Sequence, residues 1–383
     1  MLSENPLVLR FGALGDTVLL TALLRDLVNR WGGPCDVVTG AGPQRRVLAG
    51  LDSVREVFTI PSRRRPYPLA PAQWALVRWL RGRGAPPTWV FDPAATKTDW
   101  LAGRGGIPAT HRLSPREVPR PLDEHTLDYQ RRLAAAVPPA WAGRAPPLPI
   151  AHAEPELAVP EADRLDCRRW IEASGWAGRP LVVVQSQSRR RNRGRWPIER
   201  WAAAVAAVLG DLPEARVLLL GSPAEALEVE SLRAACADPR VVNVAAELPL
   251  DRLFALMTVA HSCLSLDSGP AHVAAALGCP VVVLPGWADP RRNRPPGPPE
   301  RVQVVAEAPP EEWPADVYGW QRWHDLGRVP VEAVVDAWRG LERRQQDYAR
   351  HKTACAAAPQ GADSGAGPPR DSLARGGGLE QPP

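Results

Sequence analysis

The chain has no long apolar run and no leader-like start. No stretch approaches the roughly 20 apolar residues of a membrane-spanning helix, and the opening MLSENPLVLRFGALGD has no basic segment followed by an apolar one. The six cysteines, at positions 35, 167, 236, 263, 279 and 355, include no CxxC pair, so no zinc site or redox dithiol is indicated. These absences favour a cytoplasmic protein with reduced, mostly buried thiols. If the protein meets a membrane, we expect it to bind at the membrane surface.

Several catalytic signatures are also missing. The absence of HExxH, GxSxG and GxxxxGK[ST] argues against a zinc protease, a serine hydrolase and a P-loop NTPase. No DxD segment is present either, so there is no signal for paired carboxylates that hold a metal against a nucleotide diphosphate. We therefore expect no metal and no other cofactor. Arginines and helix N-termini would have to neutralise any bound phosphate.

The length and composition of the chain indicate a globular protein of about two domains. The chain has 383 residues, is 45% hydrophobic and carries a formal net charge of +5. This mild basic excess suits an anionic small molecule, a membrane surface or nucleic acid. With 42 acidic residues against 47 basic ones, however, we do not expect the broad basic face that nucleic-acid binding requires.

Strand and helix patterns alternate in two series, separated by a proline-rich stretch at 138–160. The alternation predicts parallel sheets flanked by helices. The expected architecture is an α/β fold with two Rossmann-like domains that face each other across a cleft. We predict domains at 1–160 and 161–350, and a disordered tail at 351–383. The predicted strands cover 7–11, 35–40, 54–60, 88–94, 180–186, 215–222, 241–246, 263–266 and 280–286.

Ligands of such sheets bind beyond the carboxyl ends of the strands. Four loops follow predicted strands there, at 12–16, 186–195, 221–225 and 267–272. The second loop contains five arginines between positions 189 and 195, directly before a predicted helix. This arrangement suits an anion, although a solvated basic loop is an equally open interpretation.

The stretch LSLDSGPAHVAAALG, residues 264–278, has the sharpest pattern. Asp267 ends a strand, and Ser268 and Gly269 offer backbone N–H groups at a helix start, where the helix dipole favours a phosphate. Gly269 has no side chain and lets a ligand approach closely, and His272 lies one turn further on. The alternative is an Asp N-cap and a hydrogen-bonded helical histidine.

The stretch RFGALGDTVLL near the start is less specific, because it has glycines only at 12 and 15 and is not GxGxxG. Asp16 either caps the helix that follows or serves as a general base toward a ligand held by the second domain.

Together these segments resemble the heptosyltransferase family of GT-B glycosyltransferases. The resemblance runs from about Leu7 to about Leu341, in the right order. It rests on VLRFGALGDTVLLTALL, VFDPAATKTDWLA, RWPIERWAAAV, GSPAE and LSLDSGPAHVAAALGCPVVVLPGWADP.

The resemblance implies an inverting, metal-independent transfer of a sugar from a nucleotide donor, typically ADP-heptose, to a lipopolysaccharide-core acceptor. It implies that Asp16 is the catalytic base, that the N-terminal domain binds the acceptor and that the C-terminal domain binds the donor. Lys97 would face an anionic glycan or glycolipid acceptor, at the inner face of the cell membrane. The implied donor-binding residues are Ser186, Arg193, Arg195, Glu225, Asp267, Ser268, Gly269 and His272.

The chain departs from the family pattern at two places. Gly194 stands where the family usually has a lysine, so Arg193 or Arg195 would have to replace it. Gly12 and Ala13 stand where a serine is often found. Two alternatives therefore stay open, a nucleotide-sugar epimerase of the same architecture and a non-catalytic nucleotide-sugar binder.

Overall fold

A computed structural model of the chain describes residues 5–61, 71–91, 95–148, 152–187, 195–286, 288–307, 319–320 and 324–343, with the backbone alone at 95–97. The predicted tail at 351–383 lies outside these residues. Two parallel sheets form the framework, as the alternating pattern predicts.

The N-terminal sheet has five strands in the order β3-β2-β1-β4-β5. Val8 in its central strand pairs with Val37 on one side and Trp89 on the other, all buried. Such continuous apolar strands are typical of parallel sheets covered on both faces. The strands are β1 (Leu7–Arg10), β2 (Cys35–Gly40), β3 (Val54–Ile60), β4 (Thr88–Phe91) and β5 (Arg112–Leu113).

The C-terminal sheet has six parallel strands in the order β11-β10-β9-β6-β7-β8. Its centre is equally apolar, since Val183 pairs with Cys263 and Leu218. The strands are β6 (Leu181–Gln185), β7 (Arg216–Leu219), β8 (Val241–Asn243), β9 (Ser262–Leu266), β10 (Val281–Leu284) and β11 (Val302–Val304).

Helices cover both sheets, and within the described residues none is long and apolar enough to cross a bilayer. The helices are α1 (Leu14–Trp31), α2 (Pro43–Leu48), α3 (Pro71–Arg81), α4 (Ala95–Arg104), α5 (Thr126–Ala135), α6 (Glu161–Ala173), α7 (Ile198–Asp211), α8 (Ala226–Cys236), α9 (Leu250–Met257), α10 (Gly269–Ala276), α11 (Pro290–Asn293) and α12 (331–343).

The two halves share an apolar cluster. Val18 of α1 and Val47 of α2 are fully buried together with Phe254 of α9 and Ala271 of α10. The N-terminal helices therefore pack directly on the C-terminal ones.

The proline-rich stretch is not a loose connection where it is described. At 152–160 it runs along α1, where the Ala153 N–H donates to Asp26 at 2.8 Å and the Glu156 N–H to Thr21 at 2.9 Å. The Glu156 carboxylate also pairs with Arg25 at 2.9 Å. The division of domains at residue 160 stays a prediction.

Two helix starts differ from the prediction. Helix α1 begins at Leu14, so Asp16 lies inside its first turn and not in the preceding loop. Pro197 is the N-cap of α7, just outside the predicted first turn. All described cysteines are free, and four of the five are buried, as predicted.

Candidate active site

The end of β1 leads directly into α1 and places Asp16 at the third position of that helix. Its Oδ2 accepts a 2.9 Å hydrogen bond from the Ala13 N–H, and its Oδ1 lies 3.1 Å from the Arg10 guanidinium. The side chain therefore caps the helix, as one interpretation predicted. It is also 39% exposed, so it is open to a ligand, as a general base must be.

A second carboxylate lies at the end of β9. The Asp267 N–H donates to the Leu284 carbonyl at 2.9 Å, which continues the pairing of β9 with β10. Ser268, and not Asp267, is the N-cap of α10, so the capping interpretation of Asp267 is wrong.

Asp267 instead faces His272, with 3.5 Å between its Oδ1 and the histidine Nε2. Both side chains are more than nine-tenths buried. Among the described residues, the buried Nδ1 of His272 has no hydrogen-bond partner. Incompletely paired buried polar groups cost stability and are typical of functional sites.

The two sites meet because glycines let the first turns of α1 and α10 approach each other. A Cβ added to Gly15 would lie 2.6 Å from Cδ2 of His272, and one added to Gly269 would lie 2.6 Å from Cδ2 of Leu14. The sequence interpretation assigned the open side of Gly269 to a ligand, whereas here Leu14 occupies it. This contact packs the first turn of α1, which contains Asp16, against the first turn of α10, which contains His272.

The start of α10 retains the features of an anion site. In the described part of the chain, the N–H groups of Ser268 and Gly269 donate to no protein acceptor. The Ser268 hydroxyl lies 3.2 Å from the Ser265 hydroxyl. Free N–H groups and the positive end of a helix dipole favour a phosphate here.

A cluster of three arginines, which the sequence interpretation missed, adjoins Asp16. Arg10 pairs with Asp16 and lies over the Phe91 ring at 5.4 Å. Burial, then the charge of Arg292 and more weakly that of Arg10, lowers the pKa of Arg120 to about 10. The three lie far apart in sequence, so no spacing signal could have linked them. Their combined charge favours an anionic ligand.

The segment 120–126 and the turn 292–294 form an interdomain clasp. The Thr126 hydroxyl and the Arg120 guanidinium both donate to the Arg292 carbonyl, each at 2.9 Å. The Arg292 guanidinium donates back to the Leu122 carbonyl. His125 Nε2 lies 3.0 Å from the Arg294 carbonyl. The clasp connects the loop after β5 to α11.

The remaining predicted donor-binding residues follow β6 and β7. Ser186 directly follows β6 and is buried. Glu225 turns back on its own loop, since its Oε2 accepts 2.8 Å bonds from the Ser222 N–H and hydroxyl. Arg195 is exposed. Arg193, Gly194 and the Lys97 side chain lie outside the described residues.

Within the described ranges, no group of three or more His, Cys, Asp or Glu side chains is arranged to hold a metal ion.

Two parallel-sheet domains whose strand-end loops converge on one cleft define a protein of the GT-B class. The model of glycosyltransferase family 9 (heptosyltransferase) matches residues 97–312, more than half of the chain. The chain belongs to this family.

A curated heptosyltransferase also matches part of the chain. The chain is 29% identical, over 182 residues, to the lipopolysaccharide core heptosyltransferase OpsX of Haemophilus influenzae, which is 47% of this chain and 48% of that protein. The match thus spans about half the length of this curated relative.

Solved structures share the fold. A family 9 glycosyl transferase from Veillonella parvula superposes with a TM-score of 0.72 at 18% identity, covering 88% of this chain and 97% of that one. The E. coli ADP-heptose lps heptosyltransferase II gives a TM-score of 0.68 at 21% identity, covering 90% and 99%.

Proposed function

We propose that the protein is an inverting, metal-independent glycosyltransferase that moves heptose from ADP-heptose to a lipopolysaccharide-core acceptor. The observation that carries the proposal is the close approach of Gly15 to His272, which packs the helix turn that contains Asp16 against the helix turn that contains His272, the partner of Asp267. A base and an anion-binding helix start on opposite halves suit a transfer between two substrates held by different domains.

In this proposal Asp16 takes the proton of the acceptor hydroxyl as that oxygen attacks the anomeric carbon. The bond from that carbon to the diphosphate breaks on the opposite face, so the configuration inverts. The second lone pair on each Asp16 oxygen remains available beside the bonds to Arg10 and Ala13.

The diphosphate of the donor would lie at Ser268 and Gly269, whose N–H groups stabilise the charge that develops on the leaving group. Asp267 would bind sugar hydroxyls through the carboxylate oxygen turned away from His272, and His272 would support the diphosphate. Ser186, Glu225 and Arg193 or Arg195 would complete the donor site. These groups would meet the phosphate charge without a metal ion.

The acceptor would be an anionic glycan or glycolipid, reached from the cytoplasmic face of a membrane. The cluster of Arg10, Arg120 and Arg292 beside Asp16 supports a negatively charged acceptor, and Lys97 would add to it. The choice of sugar and of the lipopolysaccharide core follows the relatives, a lipopolysaccharide core heptosyltransferase and an ADP-heptose lps heptosyltransferase. Family membership favours a transferase over an epimerase.

The test is a transfer reaction with ADP-heptose and deacylated inner-core lipopolysaccharide, in the presence of EDTA. We expect release of ADP and an acceptor heavier by one heptose of inverted configuration. An epimerised nucleotide sugar formed without acceptor would contradict the proposal. A melting temperature raised by ADP-heptose with no turnover would contradict it as well. Activity that disappears with EDTA would contradict the metal-independent account.

A further inference from the structure

The outer face of α3 and α4 exposes two tryptophans. Six large apolar side chains of the described residues are exposed, and the two aromatic ones among them are Trp74 at 42% and Trp100 at 37%. Most of the other described tryptophans are buried or half-buried. An exposed indole on each of two neighbouring helices indicates an interaction surface.

The fold places these residues on one layer. Helices α3 and α4 pack on each other and cover the same side of the N-terminal sheet, where Leu76, Leu80 and Leu101 enter one buried cluster. On α3, Trp74, Arg78 and Arg81 follow the helical period and are all exposed. The inner face of the layer is core, and the outer face carries these partly exposed side chains.

The charge of this face is positive. Helix α3 contains no acidic residue. Arg78, Arg81 and Arg104 form no ion pair with any described carboxylate, and Arg104 lies over the Trp100 ring at 5.4 Å. The nearby acids are already engaged, Asp99 by Arg112 and Glu56 by Arg83.

We propose that the face formed by Trp74, Arg78, Arg81, Trp100 and Arg104 rests on the anionic phospholipid headgroups of a membrane. Tryptophan prefers the boundary between headgroups and acyl chains because its ring is apolar and its N–H is polar. Arginines beside it gain from the negative surface potential of anionic lipids. Basic amphipathic helices that lie in the interface combine the same two features.

The start of this layer fits the proposed function, on which this inference rests. Helices that follow parallel strands return antiparallel to them, so α3 and α4 begin at the edge where the strands end. Helix α4 begins four residues after Phe91, over which Arg10 lies, and Arg10 pairs with Asp16. A lipid-linked acceptor could therefore stay in the membrane while its glycan reaches Asp16.

The experiment is co-sedimentation of the full chain with vesicles of phosphatidylethanolamine and phosphatidylglycerol, against vesicles of phosphatidylcholine. We expect binding to the anionic vesicles that weakens in high salt. Two double variants, Trp74→Ser/Trp100→Ser and Arg78→Gln/Arg81→Gln, should each weaken it about tenfold or more. Matched exposed pairs on the C-terminal half, Leu165→Ser/Leu227→Ser and Arg168→Gln/Arg169→Gln, should leave it unchanged.

Equal binding to both kinds of vesicle, no binding at all, or binding that neither α3 nor α4 variant reduces would overturn the assignment. Transfer to a deacylated, soluble acceptor should be the same in all four variants. A failure of the surface assignment is therefore distinguishable from a failure of the transferase proposal, because the first leaves transfer intact. Melting temperatures like that of the parent protein would show that the variants fold.

Discussion

The Asp16 carboxylate caps a helix and is also exposed to a ligand. Asp16 is the third residue of a long, mostly buried helix and accepts the Ala13 N–H, yet more than a third of its side chain is exposed. The cap and the Arg10 pair fix the carboxylate in one orientation before any substrate arrives. In the proposed reaction, preorganisation of this kind would lower the cost of aligning Asp16 with the acceptor hydroxyl.

Replacing Asp16 by asparagine should lower kcat by about 100- to 10,000-fold, because the amide keeps the size and the cap but does not accept a proton. Donor affinity should stay near that of the parent, because the donor would lie at α10. Transfer rates and a titration with ADP-heptose measure the two quantities separately. Asp128→Asn, on the exposed side of α5, serves as control. Unchanged turnover in Asp16→Asn would remove the base from this position.

The site residues that the sequence predicted lie in local patterns, whereas those that it missed are brought together by folding. Asp16, Asp267 and His272 stand in local patterns, at the junction of a strand and a helix, so their neighbourhood is encoded within a few residues. Arg10, Arg120 and Arg292 come together only through the packing of three distant segments. No local pattern distinguishes such arginines from the many solvated ones in this chain.

Among the secondary-structure elements, the first turns of α1 and α10 can approach each other only because Gly15 and Gly269 have no side chains. Gly15→Ala should destabilise the protein by about 1–3 kcal/mol through overpacking against the buried His272 ring. It should also slow transfer, because the contact sets the position of the helix turn that contains Asp16 relative to His272.

Thermal unfolding and transfer rates check the effect of Gly15→Ala. Gly210→Ala is the matched control, since a Cβ there meets nothing within 4 Å. In the last turn of α7 alanine should stabilise slightly, by up to about 1 kcal/mol. If both alanine variants behaved alike, the close approach of the two helices would have no energetic consequence.

The N-cap of α5 requires a neutral histidine. His125 Nδ1 accepts the Leu127 N–H at 3.2 Å, and its Nε2 lies 3.0 Å from the Arg294 carbonyl. Only the tautomer with the proton on Nε2 satisfies both. Burial, with the positive charge of Arg294 and Arg120, lowers the pKa of His125 against the opposing effects of the Arg294 carbonyl and Asp128.

Acid should therefore weaken the clasp. Because the folded pKa of His125 lies below the unfolded value of about 6.5, its stabilisation is complete at higher pH. It is lost as the pH falls from about 6.5 through the folded pKa.

His125→Asn keeps an acceptor at the N-cap but does not titrate. Its melting temperature should fall less between pH 8 and pH 5 than that of the parent protein. His111→Asn, outside the clasp, should follow the parent. Parallel pH profiles for the parent and His125→Asn would contradict the role of this histidine.

Strands and helices were predictable where the hydrophobic period of the sequence is clear. Short strands and helices were not predictable. The predicted strands 35–40 and 54–60 coincide with β2 and β3. The sequence interpretation missed the two-residue β5, the four-residue α11 and α5. Helix α5 hides its period behind polar residues such as Asp128, Arg131 and Arg132. These missed elements carry the clasp, which explains why the contact between the halves was predictable only in outline.

In the whole molecule, a polar anchor at Arg46 joins the two halves in addition to the clasp and the shared apolar cluster. Arg46 of α2 pairs with Asp163 of α6 at 2.8 Å and with Asp251 of α9, and its guanidinium donates to the Ala158 carbonyl at 3.1 Å. It also lies over the Phe254 ring at 4.8 Å. One side chain of the N-terminal half thus reaches two helices of the other half, α6 and α9, and the 152–160 stretch between the halves.

Arg46→Ala should lower the free energy of unfolding by about 2 kcal/mol, since charged hydrogen bonds are lost from a side chain that is only 16% exposed. The Asp251 pair contributes little of this, because that carboxylate is 56% exposed. Arg45→Ala, the exposed neighbour on the same helix, is the control and should change stability little. Calorimetry compares the variants. Since the anchor joins the two halves, its loss should also raise KM for both substrates. A destabilised Arg46→Ala with unchanged KM values would mean that the anchor holds the fold without setting the geometry of the cleft.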